Sequence, residues 1–283
     1  MPTPDPVTAV SSLGGIALVR SVRACGVSKD AIQRAVTLRG TLVRPRYGMV
    51  ALPTAPRAIL RAAAAGGALA GPSAADYYGL WTPSSRQLHI SVRSDAVRRR
   101  NPQVVLIRDG HHLRPDEGFV VSLETCVRQC IRLLPFDEAV AVVDSALHRE
   151  LTTATATLDM DRLRSQLPAR LHPVLDTADP RSEAGAETLA RVRLRRLGIV
   201  AHPQRWITRG IRVDLLIGDR LVVEIGSVAF HAHPDAYESD HSRSAVLLAL
   251  GCDVLEFTTS QVMDDWPFVE GIILDHVGRA THQ

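Results

Sequence analysis

The fold is set by Arg212-Val213-Asp214-Leu215-Leu216-Ile217-Gly218-Asp219-Arg220-Leu221-Val222-Val223-Glu224-Ile225. Odd positions Val213, Leu215, Ile217, Leu221, Val223 and Ile225 are all apolar. With the period of two that a strand imposes, they form one buried face. Gly218-Asp219-Arg220 supplies a short turn between the two strands. Asp214 and Glu224 share the other parity, and the hairpin sets them opposite one another, about 4.5–5.5 Å apart at Cβ. Two carboxylates that close repel unless a cation or a shared proton lies between them. The pattern therefore points to a divalent cation held by oxygen ligands.

N-terminal to this hairpin, the helix predicted over 182–197 adds a third carboxylate. Glu187, Ala190, Leu194 and Leu197 fall on one stripe at about 100° per residue, and Glu183 lies on it too. A glutamate on the apolar stripe of a core helix is costly unless it is paired or metal-bound. Either glutamate alternatively favours the helix N-terminus or pairs with Arg191. Strands at 199–206, 211–217, 221–226 and 252–258, with helices at 236–250 and 261–277, complete an order α-β-β-β-α-β-α.

Upstream, Leu18–Cys25 reads as a helix and Gly26 as a turn. Ser28 is a good N-cap for a second helix through Arg39, with Ile32, Ala35 and Val36 on its apolar face. Leu42–Pro45 and Met49–Leu52 flank a tight turn at Arg46-Tyr47-Gly48. Helix, turn, helix, two-stranded wing is the winged helix-turn-helix order. Residues 14–57 hold eight basic side chains and one acid, a local charge of +7 within a chain of net +3. Such a patch predicts a polyanionic partner, here double-stranded DNA. The residues expected to touch it are Lys29, Gln33, Arg34, Thr37 and Arg39 on the second helix and Arg44, Arg46 and Tyr47 on the wing. Gln33 suits adenine and Arg34 suits guanine in the major groove.

The 283 residues predict a multi-domain α+β chain. We expect a winged helix over 9–55, a mixed α/β middle region over 56–167, a proline-punctuated linker over 168–181 and the carboxylate domain over 182–283. Residues 1–8 read as disordered. In the middle region, helices are expected at 56–65, 72–79, 122–134 and 137–149, and strands near 87–93 and 103–108, with no catalytic constellation. Trp81 reads as a packing anchor, Arg98-Arg99-Arg100 as a solvated loop, and Cys126 and Cys130 as small core residues one helical turn apart. No run approaches the length of a membrane span, and the N-terminus lacks the basic start and apolar stretch of a signal peptide. Four scattered cysteines suit a reducing compartment, so the expected location is the cytoplasm.

Helical Glu, hairpin Asp, then Glu on the next strand resembles the PD-(D/E)xK nuclease superfamily, the restriction-endonuclease-like fold. More closely, residues 212–224 with Phe230-His231, Asp240, Arg243 and Gly251-Cys252-Asp253-Val254-Leu255 resemble very-short-patch-repair-endonuclease-like domains, over roughly 182–283. Gly14-Gly15-Ile16-Ala17 through Tyr47-Gly48-Met49-Val50-Ala51-Leu52 resembles the winged-helix domain of the abortive-infection (type IV toxin–antitoxin) antitoxin family. The resemblance implies that Asp214 and Glu224 hold Mg²⁺ or Mn²⁺, with Glu187 or Glu183 completing the shell. It implies His231 as general base or leaving-group stabiliser, Asp240 and Arg243 as support or phosphate contacts, and a toxin or other protein as partner. The chain departs from the pattern at Gly226, where the superfamily has a lysine and relatives of this subfamily often an acid, and at Ser227, where relatives tend to have glycine. Lys29 is the only lysine in the chain, so no neighbouring lysine replaces the missing one. Two functions follow: a metal-dependent DNA endonuclease with a weakened site, and a non-catalytic antitoxin or transcriptional regulator. A protein-interaction scaffold is a third.

Overall fold

The computed structural model describes residues 4–84, 87–92, 102–108, 118–153, 158–226 and 243–280. The chain divides into two compact units, Met1–Gly79 with Pro83–Leu133, and Leu80–Thr82 with Leu134–Gln283. The architecture is α+β, with small sheets of two, three and four strands.

The first unit begins with α1 (Pro6–Ser12), β1 (Ile16–Leu18), α2 (Val19–Ala24), α3 (Lys29–Thr37) and β2 (Met49–Ala51). Helix α1 lies partly where we expected disorder. Asp5 caps it by accepting the Thr8 N–H at 3.0 Å, Pro6 opens it, and Ala9 and Val10 are buried. Ser28 caps α3 as its sequence predicts, accepting the Ala31 N–H at 3.1 Å. Strand β2 pairs antiparallel with β1, Ile16 against Ala51, and Val43 bridges Ala51 as well. Val10, Val22, Val27, Ile32, Ala35, Leu42 and Val50 form the core beneath them. Each large aliphatic side chain there contributes roughly 1.5–3 kcal/mol by leaving water.

The same unit continues through α4 (Arg57–Ala64), β3 (Ala68–Leu69), α5 (Gly71–Tyr77), β4 (Leu88–Ser91), β5 (Val104–Ile107) and α6 (Leu123–Leu133). Strand β3 is antiparallel to β4, and β5 is parallel to it. Cys126 and Cys130 are buried free thiols on α6, and the Cys126 thiol donates to the Gly71 carbonyl at 3.4 Å. Their place in the core matches their small, apolar character.

The second unit holds α7 (Phe136–Thr153), α8 (Met160–Ser165), a 3-10 turn at Ala169–Leu171, α9 (His172–Thr177) and α10 (Gly185–Arg196). Its sheet runs β6 (Ala201–Thr208), β7 (Ile211–Ile217), β8 (Leu221–Gly226) and β9 (Asp253–Thr258) in that order. A helix over 243–249, α11, precedes β9, and α12 (Thr259–Asp264) and α13 (Trp266–Ala280) follow it. The segment read as a linker, 168–181, is structured, with Val174 and Leu175 buried. Helix α7, assigned from sequence to the middle region, packs with α10. Buried Asp144 accepts from Arg191 at 2.7 Å, from Thr188 Oγ1 at 2.8 Å and from the Asp179 N–H at 2.7 Å. A buried ion pair holds only when its remaining valences are also satisfied, and that need ties α7, α10 and the end of α9 together. Gly185 opens α10 because a Cβ there would lie 2.2 Å from the Trp81 ring.

Strands β7 and β8 have the bounds read from sequence, and Leu215 pairs with Val223 and Ile217 with Leu221. Leu215, Ile217, Leu221, Val223 and Ile225 pack on Leu189, Ala190 and Leu194 of α10. One expectation fails here. Val213 does not join that face; it clusters with Val222, Leu247 and Cys252, against Leu216 and Val254. The sheet is buried by helices on both sides, and the alternation breaks at Asp214. The single helix expected over 261–277 is also two. Asp265 (φ −137°) interrupts it, and Pro267, lacking an N–H, suits only the first turn of a new helix.

Candidate functional site

Asp214 stands where the β7–β8 ladder ends. Leu215 and Val223 are the last pair of that register, and beyond it Asp214 lies near enough for its charge to act on Glu224. Asp214 interrupts the ladder with its side chain: its Oδ2 accepts the Ile225 N–H at 2.8 Å. Its Oδ1 accepts from Gln204 Nε2 at 3.4 Å, and the same amide donates to Glu187 Oε2 at 3.0 Å. Glu187 Oε2 also accepts the Glu183 N–H at 3.1 Å, the hydrogen bond expected of an acid in the first turn of a helix. Glu187 is only 4% exposed.

Burial pushes the Glu187 carboxyl up to about 7 against the pull of its hydrogen bond from Gln204, with the charges of Asp214 and Glu183 adding to the rise. Glu224, with 20% of its side chain exposed, is raised for the same reasons: burial first, then the charge of Asp214. Arg243, at the first turn of α11, opposes that rise. It donates to Glu224 Oε1 at 2.6 Å and to the Arg212 carbonyl. Arg212 in turn pairs with Glu183 at 2.6 Å. Of the two glutamates, Glu187 in the first turn of α10 is thus the one joined to Asp214, and Glu183, which precedes the helix instead of lying in it as expected, pairs with Arg212.

Gln204 is not among the residues predicted from sequence. It has φ +52°, the only non-glycine residue with positive φ among those described. A left-handed conformation costs a non-glycine residue on the order of 1–3 kcal/mol, and here it accompanies an amide that bridges two acids. Its strand, Ala201–Thr208, also holds His202, Arg205 and Thr208, so the sequence does not single Gln204 out.

Hard oxygen donors of this kind suit Mg²⁺ or Mn²⁺. Among the described residues, no three His, Cys, Asp or Glu side chains converge as ligands of one ion. Mg²⁺ commonly takes one or two carboxylates and completes its shell with water and substrate phosphate. The donor pair that fits is Asp214 with Glu224, and Glu187 is linked to Asp214 through the Gln204 amide. Gly226 ends β8 next to Thr258 of β9. A Cβ built there meets nothing within 4 Å among the described residues, and its φ lies outside the left-handed region. His231, Ser227, Asp240 and Arg98-Arg99-Arg100 lie outside the described residues.

In the first unit, Lys29, Gln33, Arg34, Thr37, Arg39, Arg44, Arg46 and Tyr47 are all exposed, Tyr47 to 92%. Gln33, Arg34 and Thr37 share one side of α3, where Thr37 Oγ1 donates to the Gln33 carbonyl at 2.9 Å. Arg44 donates to Gln33 Oε1 at 3.0 Å and so links the strand before the turn to α3. Among the described residues, no helix is long and apolar enough to cross a membrane.

No family model matches the chain, and no curated protein matches it. Among solved structures, the catalytic domain of the homing endonuclease I-Bth0305I is similar over 33% of this chain and 94% of its own, at 19% identity and a TM-score of 0.29. The RV2827C protein from Mycobacterium tuberculosis is similar over 66% of this chain and 78% of its own, at 18% identity and a TM-score of 0.31. At such scores the reading of the site rests on its own geometry.

Proposed function

We propose that this chain is a DNA-binding protein whose second unit is a nuclease-type carboxylate site for phosphodiester hydrolysis. The observation that carries the reading is the meeting of Asp214 and Glu224 at a break in the β-ladder, with Glu187 linked through Gln204. Three acids gathered in a half-buried place, two of them raised towards neutrality, are unfavourable for stability alone. A divalent ion held by Asp214 and Glu224 would supply charge stabilisation at a phosphate and lower the pKa of a bound water. The chain's own residues prepare that place. Gln204 orients Asp214 and Glu187, the Ile225 N–H fixes the second Asp214 oxygen, and Arg243 offers a guanidinium suited to phosphate. In the first unit, the order α1-β1-α2-α3 followed by the Val43–Ala51 bridge and its turn supports a winged helix with α3 and the Arg46-Tyr47 turn facing DNA.

The test is cleavage of varied DNA forms by the full-length protein with Mg²⁺ or Mn²⁺, compared with Asp214→Asn and with chelator. Metal-dependent cleavage lost in Asp214→Asn supports the enzyme. A second reading is favoured by two observations: Arg243 already pairs with Glu224, and Gly226 leaves the place of the superfamily's lysine empty of a side chain. In that reading the chain is a non-catalytic antitoxin or transcriptional regulator with a toxin or other protein partner. DNA binding without cleavage under any metal condition selects it.

A further inference from the structure

The β6–β7 hairpin carries side chains that neither the fold nor the carboxylate pair requires. From Gln204 to Arg212 it reads Gln-Arg-Trp-Ile-Thr-Arg-Gly-Ile-Arg, with three arginines and no acid. Trp206 is 63% exposed in the middle of it. The chain's other two tryptophans are used in packing: Trp81 against Gly185, and Trp266 against the core, with its indole N–H donating to Glu270. An indole left in water forgoes burial that the other two obtain.

Two backbone irregularities bracket Trp206. Gln204 is left-handed on one side, and the β6–β7 register shifts between Trp206 and Thr208 on the other. A bulge re-aims the side chains beside it. Trp206 pairs with Arg212 across the ladder, and the Arg212 guanidinium lies 5.8 Å from the ring centroid. The Arg212 carbonyl accepts from the Arg243 guanidinium that also holds Glu224. One cross-strand pair and one arginine thus separate the exposed ring from the carboxylates.

We propose that Trp206 is a stacking platform for an unpaired nucleobase, with Arg205 and Arg209, both exposed, holding the flanking phosphates. The inference rests on the reading of the second unit as directed to nucleic acid. A flat exposed indole offers a face on which an unpaired base can stack. A duplex keeps its base faces stacked inside and offers phosphates outside, so the ligand is single-stranded or locally opened nucleic acid. Stacking of this kind tolerates any base, and the arginines make it salt-sensitive.

The test uses the full-length protein without divalent metal, so that cleavage plays no part. Binding is measured by anisotropy to a short labelled single-stranded DNA, to its duplex and to RNA of the same sequence. Trp206→Ala is expected to weaken single-strand binding by about 5- to 150-fold, the range for losing one base–aromatic stack. Trp206→Phe is expected to restore most of it, and duplex binding to change less than about two-fold. Arg209→Ala is expected to lower single-strand affinity and flatten its salt dependence. A stronger effect on the RNA arm would identify RNA as the source of the base, and on the DNA arm DNA. No change with Trp206→Ala, or equal loss on duplex and single strand, overturns the proposal. A protein that never cleaves yet shows the Trp206 effect would defeat the nuclease reading and leave the platform standing.

Discussion

In the helix-and-turn region of the first unit, Lys29, Arg34, Arg39, Arg44 and Arg46 all stand in solvent. In the second unit, Gln204 links Glu187 of α10 to Asp214 of β7, the Ile225 N–H holds the other Asp214 oxygen, and Arg243 holds Glu224 of β8. A solvated charge is stable by itself and is available to any polyanion. A half-buried carboxylate is stable only with partners, and its field raises the next one. The first arrangement therefore supports graded, salt-dependent attraction, and the second supports a site that is either assembled or lost. Substitutions in the two regions put that contrast at risk to different degrees.

The largest effect is expected for Asp214→Asn in the second unit. It keeps the shape and removes the charge that two glutamates feel. Metal-dependent cleavage should fall by at least about 100-fold, as for loss of a main electrostatic element of a site. Duplex binding, measured by gel shift, should stay within about two-fold if it depends on the first unit. A variant that cuts like wild type would remove Asp214 from the chemistry.

Next comes pH. Glu187 has a folded value of about 7 against an ordinary 4.5. The folded protein then holds this proton over a range where the unfolded chain has released it. The associated stability is complete below about pH 4.5 and is lost as pH rises through about 7, on the order of 3 kcal/mol. Glu187→Gln should accordingly be more stable than wild type at pH 8, by about 1–3 kcal/mol in urea unfolding, and show little gain at pH 4.5. Equal effects at both pH values would mean that the Glu187 carboxyl is not held protonated.

Smaller changes are expected in the first unit. Arg34→Ala and Arg46→Ala should each weaken duplex binding by about 3- to 10-fold at low salt and reduce the salt slope by about one. Isothermal titration across a salt series would measure both. Independence of salt would show that the +7 patch is a solvated surface and nothing more. The smallest effects belong to Gly226→Asp and Gly226→Lys. The site is exposed and open, so stability should stay within about 0.5 kcal/mol, while any cleavage should rise several-fold. The acid would return an oxygen ligand and the lysine a charge at the developing negative centre. If neither changes cleavage, Gly226 is not the missing position.

Local features of the fold are legible in the sequence. The Ser28 cap, the Ile32–Ala35 stripe and the bounds of β7 and β8 follow from spacing, because capping and alternation act within a few residues. Helix α1 is not legible in this way. Three prolines near the N-terminus suggest disorder, while Asp5 and Pro6 in fact start a turn whose Ala9 and Val10 find a core made by residues far along the chain. The break between α12 and α13 is signalled by Pro267, which suits a first turn and not a helix interior. Val213 goes to the other cluster next to the point where an Asp214 oxygen accepts the Ile225 N–H, a break in the ladder that periodicity has no means to register.

The bounds of β7 and β8, the Ser28 cap and the basic bias of the first unit are fixed by the sequence alone. These depend on neighbours in the chain and on composition. The folded arrangement was needed to establish that Glu187 rather than Glu183 reaches Asp214, that Gln204 bends left-handed to join them, and that Arg243 holds Glu224. It was needed equally to see that Trp206 stays in solvent while Trp81 and Trp266 pack. Each of these depends on residues from different strands and helices meeting in space. Burial, which sets the cost of each charge, is a property of that meeting and not of any one residue.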